Sequence, residues 1–259
     1  MSCGVSFNIF SLESKELVEL YNLAVSYDRN IEIEIIHEGE HDLGLHENPS
    51  DVDPCNHRIR FVNSLDKKQR IEAIAHELAH LLLLYKHGLR IVKRCFPGIG
   101  DEHLDSFLQR ITNTTHHLFL IDLLKDNYRI DSVLHLGLLQ DNSSGYSSEK
   151  ELQYIKALLA FERKKLVGKG IEEKSKQVLP FWEAYNSARK HFGKYSFQFV
   201  PSPSIYEEDV LSFLGDLGYQ KKYFVFCPQR DTIRRNEKNL SGQENATCSM
   251  PDPKVDQTK

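Results

Sequence analysis

Apolar residues recur along the chain at spacings that mark out its elements. In 11–27 (SLESKELVELYNLAVSY), Leu12, Leu17, Leu20, Leu23 and Ala24 fall at helical intervals. Residues 31–36 (IEIEII) instead alternate, as a strand with one apolar face does. His37 to Asn56 is polar and turn-rich, punctuated by Asn48-Pro49-Ser50 and Asp53-Pro54, and 57–62 (HRIRFV) alternates again. Asp66 followed by Gln69 has the spacing of a capping box, opening a helix that runs to about Tyr85 and stops near Gly88. Beyond Pro97-Gly98-Ile99-Gly100 a helix is predicted at about 101–126, and another at about 149–166, opened by Ser148 with Glu151. A further helix straddles Pro180, and one starting at Ser204 with Glu207 carries Val210, Leu211 and Leu214. Ser196 to Val200 and Lys222 to Phe226 read as strands. From Gln229 onward there is almost no large apolar residue to offset ordering entropy, which predicts a disordered tail.

The pattern predicts an α+β fold: a compact domain over 1–145, ordered helix-strand-strand-helix-helix, then an α-rich C-terminal extension over 146–228 and the tail 229–259. At 259 residues and 40% hydrophobic composition the chain can bury a sizeable core. Its net charge of −4 is unevenly placed: residues 1–60 carry 12 acids and 4 bases, the remainder 25 and 29. That remainder is too weakly basic to indicate nucleic-acid binding. No apolar run approaches the length that spans a bilayer, and the N-terminus lacks the basic and apolar regions of a signal peptide. Five scattered cysteines, odd in number and without CxxC spacing, favour a reducing, cytoplasmic setting.

The chemistry is concentrated in His76-Glu77-Leu78-Ala79-His80, an H-E-x-x-H on the predicted helix at 66–85. Residues four apart share a helix face, so both imidazoles can reach one zinc ion. Glu77, about 100° around from His76, stands beside that ion, placed to take a proton from a zinc-activated water. Ile71, Ile74, Ala75, Leu78 and Leu82 form one apolar stripe, and Ala73, Leu83 and Leu84 border the His-Glu-His patch. A helix apolar on both sides of such a patch is a buried one. A catalytic zinc takes three protein ligands and keeps one position open. On 104–124, Leu104, Phe107, Leu108, Ile111 and Leu118 define a core face, and Asn113, His117, Leu120 and Leu124 a second row. His117 is the first candidate for the third ligand. His116, about 100° away, and an acid such as Glu102 or Asp105 are alternatives. His37, His41, His46, His87, His103 and His135 are read as surface residues or as lying outside the ligand set. The strand 57–62 just before the metal helix is a candidate open edge for an extended peptide. Tyr85 and Tyr128 are weak candidates for stabilising an oxyanion.

These residues resemble the ImmA/IrrE-type zinc metallopeptidases: HRIRFV, then SLDKKQRIEAIAHELAHLLL, then the second helix, over about residues 10–130. The resemblance implies a minimal zincin-like domain, a cytoplasmic location and proteolysis of a regulatory protein, with His76 and His80 as zinc ligands and Glu77 as general base. The second helix departs from the family pattern. Where an acid ahead of an Ala-Asn pair is usual, it carries Gln109, Thr112 and Asn113, then His117. The reading is therefore a zinc peptidase acting on a peptide or protein substrate. The alternatives are a zinc-binding interaction module without turnover and a hydrolase of non-peptide amide bonds.

Overall fold

Short-range signals place the first elements. The structure, a computed structural model, describes residues 5–36, 50–53, 57–95, 102–141, 149–168 and 178–226. Strand β1 (Val5–Ser6) leads through a short 3-10 turn, Ile9–Leu12, to helix α1 (Lys15–Tyr27), whose N-cap Ser14 accepts the Leu17 N–H at 3.2 Å. Strands β2 (Glu32–Ile36), β3 (Ser50–Asp53) and β4 (Arg58–Val62) follow. Helix α2 (Lys67–Tyr85) starts at the expected capping box, with Asp66 and Gln69 each bonding the other's backbone N–H. Gly88, at φ 69°, lies just past its end, in the left-handed region that suits glycine. Then come β5 (Val92–Arg94), α3 (Glu102–Tyr128), α4 (Val133–Asp141), α5 (Lys150–Val167), α6 (Leu179–Phe192), α7 (Pro203–Asp216) and β6 (Phe224–Phe226).

The fold is α+β, with seven helices and two small sheets among the described residues. The main sheet has the order β1-β2-β4-β3, with β2 parallel to β4 and both outer pairs antiparallel. Its inner face (Ile33, Ile59, Phe61) meets Leu17, Leu20 and Ala24 of α1 and Ala75, Leu78 and Leu82 of α2 in a continuous core. Helix α3 runs between α2 and α5, so the helices beyond residue 146 share the core with those before it. All described residues belong to one compact unit.

The structure corrects several local expectations. Ser50–Asp53, expected as loop, is a strand: its two aspartates give it little β propensity, but Asp51 lies opposite Arg60 and accepts its Nε–H at 2.9 Å. As a result β4 is interior, and among the described residues the edge strand on that side is β3. Val92–Arg94, too short to show a period, is a strand through its pairing with β6. The helix at Val133–Asp141, short and apolar all round, was not expected either. At 196–200 only a single bridge, Ser196 to Phe199, forms in place of the expected strand. Helix α7 is opened by Ser202 and not Ser204, and the N-cap of α5 is Glu149, without a side-chain cap bond. The expected caps and turns at 37–49, 54–56, 96–101 and Ser148, and the tail 229–259, lie outside the described residues.

The capping box is the local device that starts the helix bearing the site. Asp66→Ala should therefore lower stability by about 1 kcal/mol, a fall in melting temperature of roughly 2–4 °C for a chain of this size. Differential scanning calorimetry measures it, and an unchanged melting temperature would show that packing alone sets the start of α2.

Candidate metal centre

Helix α2 is buried on both flanks of its polar patch, from Ala73 and Ile74 through Leu84. That burial carries His76, Glu77 and His80 into the interior, against α3. His117, on α3, is buried, and its neighbours Leu118, Leu120 and Leu124 hold that helix in the core. His80 Nε2 lies 3.2 Å from His76 Nε2 and 3.2 Å from His117 Nε2. Ligand nitrogens about 2.0–2.1 Å from one tetrahedral ion stand roughly 3.3 Å apart, so the spacing fits a shared cation.

Hydrogen bonds on the far sides of the rings fix which nitrogens carry lone pairs. His117 Nδ1 donates to Glu162 Oε1 at 2.7 Å, which leaves the neutral ring's lone pair on Nε2. His116 Nε2 donates to the Leu89 carbonyl at 3.1 Å, so its Nδ1 accepts from His80 Nδ1 at 3.1 Å, and His80 too presents a lone pair on Nε2. Two lone pairs thus face each other at 3.2 Å. A proton between them would require an imidazolium. Burial pushes His117 down to about 3, with His135 beside it adding to the fall, and burial also lowers His80 well below the ordinary histidine range. A cation satisfies both nitrogens. His76 Nδ1 is buried without a hydrogen-bond partner among the described residues, and His76 too is held well below its ordinary range by burial.

Glu162, from α5, is fully buried. Burial alone would raise its carboxyl, but the Arg110 guanidinium and then His117 outweigh it and hold it well below the usual range. Its Oε2 also accepts from Thr114 at 3.0 Å, and Oε1 receives His135 Nε2 at 3.0 Å. His135, expected at the surface or outside the ligand set, is at the centre: His76, His117 and His135 form a group that can hold a metal ion, with one ligand atom from each within 4.8 Å of the others. It is carried there by α4, whose Leu134 N–H donates to Glu72 of α2 at 2.8 Å.

The other candidates fall elsewhere. Asp105 accepts from Arg94 at 2.7 Å, and Glu102 is exposed at the head of α3, so neither acid joins the imidazoles. His116 supports His80 from the side away from His76. His57 pairs with buried Asp28, and His103 with Glu149 at 2.6 Å. His37, His41 and His46 lie outside the described residues. Tyr85 and Tyr128 do not line the cavity of about 730 Å³ into which the cluster opens. Glu77 does line it. Burial pushes the Glu77 carboxyl up to about 8, opposed by the Ser50 hydroxyl, which donates to Oε1 at 2.8 Å. A cation among the imidazoles would favour the carboxylate instead.

Sequence reasoning missed Glu162 and His135. Glu162 does leave a signal, because Tyr154, Leu158 and Glu162 make one i, i+4 row that is apolar until the carboxylate. His135 leaves none, since α4 shows no amphipathic period.

No protein-family model matches the chain, and no curated protein and no solved structure matches it either.

The role of His116 in this arrangement is open to direct measurement. His116→Ala should weaken metal binding about 10–100-fold by freeing the Nδ1–H of His80, and His117→Ala should weaken it further. Competition against a chelating dye, with folding followed by circular dichroism, compares the two. Equal affinity of His116→Ala and wild type would show that the His80–His116 contact does not orient the ligand.

Proposed function

We propose that the chain is a zinc-dependent peptidase of zincin-like construction, with His76, His80 and His117 as ligands and Glu77 as general base. The observation that carries the reading is the pair of facing lone pairs on His80 and His117 at 3.2 Å, with Glu77 one residue from His76 on the wall of the same cavity. Three imidazoles, with a carboxylate beside them that is not needed as a ligand, form the donor set of a hydrolytic zinc site, whereas a structural site closes with four protein ligands. The likeness of HELAH and its flanks to the ImmA/IrrE-type metallopeptidases points the same way. A bound zinc ion would supply Lewis acidity, acidifying water and polarising a carbonyl.

The chain's own groups do the rest. Glu77 takes a proton from the attacking water as the water oxygen bonds to the peptide carbonyl carbon. It then returns that proton to the departing amine nitrogen as the C–N bond breaks. Ser50 orients the carboxylate through its hydroxyl. Ser50, Asp51 and Val52 place β3, the edge strand on that side among the described residues, along the cavity wall. An extended substrate would add to β3 by main-chain hydrogen bonds, and not to β4, which is interior. No helix among the described residues is long and apolar enough to cross a membrane. The scattered cysteines fit a cytoplasmic protein substrate. A second reading, a zinc-binding interaction module without turnover, draws on one observation: the imidazole of His135 beside the others, which could close the site.

Glu77→Gln separates these readings. Zinc content should stay near one per chain, whereas hydrolysis of a random-sequence peptide library should fall by about 10²–10⁴-fold. Mass spectrometry of new peptide termini provides the measurement. Equal cleavage by both proteins would remove Glu77 from the chemistry, and no cleavage by either would favour the interaction module.

A further inference from the structure

We propose that His135 is a fourth, displaceable ligand of the ion at His76, His80 and His117, and that Glu162 selects the nitrogen it offers. The inference rests on the metal reading of this site and deepens it. The Glu162 carboxylate can only accept, because it is paired with Arg110 and bonded by Thr114 on its other oxygen. His135 Nε2, 3.0 Å from Glu162 Oε1, must then carry the hydrogen of the neutral ring, and the lone pair sits on Nδ1. The same oxygen takes the Nδ1–H of His117 at 2.7 Å. One carboxylate oxygen therefore sets opposite tautomers on two rings, presenting His117 through Nε2 and His135 through Nδ1.

The rings are already assembled. His135 stacks beside His76, with centroids 4.8 Å apart and planes at 28°, and meets His117 edge-on at 4.0 Å. Its ligand atom lies within 4.8 Å of those of His76 and His117, and like His76 it is only partly buried whereas His117 is buried. Its side chain is 15% exposed, where that of His117 is 5% and that of Glu162 is 0%. A hydrolytic zinc site needs one exchangeable position. His135 fills that position in the resting protein and gives it up to an incoming donor from the cavity. The site is thus closed at rest and opens on binding.

Cobalt(II) loading of the full chain tests this without any substrate. Wild type should bind one cobalt with four nitrogen donors by X-ray absorption. His135→Ala should retain one cobalt with three nitrogens and an oxygen, and show an altered visible spectrum. Azide should bind His135→Ala at about tenfold lower concentration than wild type, because no imidazole has to be displaced. Where the alanine variant does not fold, His135→Gln serves for the same comparison. Identical cobalt spectra and azide affinities in variant and wild type would overturn the fourth-ligand assignment and leave the His76, His80 and His117 site standing. Failure of the wild-type chain to bind stoichiometric cobalt would remove the metal reading itself.

Discussion

Two imidazole lone pairs face each other at 3.2 Å inside this protein, and much of the surrounding architecture serves to keep them there. Left alone, such a contact is repulsive, and either ring would relieve it by turning over to the other tautomer. Neither can do so without breaking a second bond. For His117 that bond is the one to buried Glu162; for His80 it is the relay through His116 to the Leu89 carbonyl. Burial keeps both rings neutral, so the ordinary remedy of a shared proton is removed as well. A cation shared by the two rings would satisfy both nitrogens at once, and the cluster they belong to is one that can hold a metal ion.

The electrostatic balance of the centre follows from the same constraint. Among the described residues Glu162 is the one fully buried carboxylate touching the clustered imidazoles, and Arg110, on α3, neutralises it. The pair adds no net charge, so a divalent ion entering the cluster would meet neutral nitrogens and, on the wall of the same cavity, the carboxyl of Glu77. Without a cation, burial holds Glu77 in its protonated form near neutral pH. With one, attraction would favour the carboxylate, the form that can act as a base. In the proposed peptidase, metal binding and the ionisation of Glu77 would in this way be coupled through the low-dielectric interior.

What the sequence revealed and what it hid divide along the range of the interactions involved. His76, Glu77 and His80 were legible because one turn of one helix brings them together, and α2 announces itself by the Asp66–Gln69 box and its apolar flanks. His117 was legible, with Asn113 one turn before it, as a polar pair on an otherwise apolar helix. The α+β character, β2, β4 and most helices came from periodicity alone. Strands β3 and β5 were hidden because three or four residues cannot display a period, and each owes its conformation to a distant partner, Arg60 or β6. Helix α4 was hidden because it is apolar on every side, and with it went His135. Glu162 shows locally only as the polar end of the row Tyr154, Leu158, Glu162, and its partners lie 45 and 52 positions earlier.

Those hidden residues change how the second half of the chain is understood. The division at residue 145 treated the later helices as an extension, yet α5 supplies the carboxylate bonded to His117 and His135, and it packs on both α3, which carries the first, and α4, which carries the second. Removing α5 would take away the carboxylate that faces the partly buried Arg110, leaving a positive charge near the imidazoles that would disfavour any metal there. The helix would then be needed twice, once as packing and once as counter-charge. The cavity on the other side of the cluster is bounded by β3, from the first fifty or so residues, through Ser50 and its bond to Glu77. The proposed ligands thus sit on α2, α3 and α4, the carboxylate bonded to two of them on α5, and the hydroxyl bonded to Glu77 on β3. A centre assembled from such separated segments exists only when the whole core has formed, which ties its chemistry to the folded state and not to the local HELAH helix.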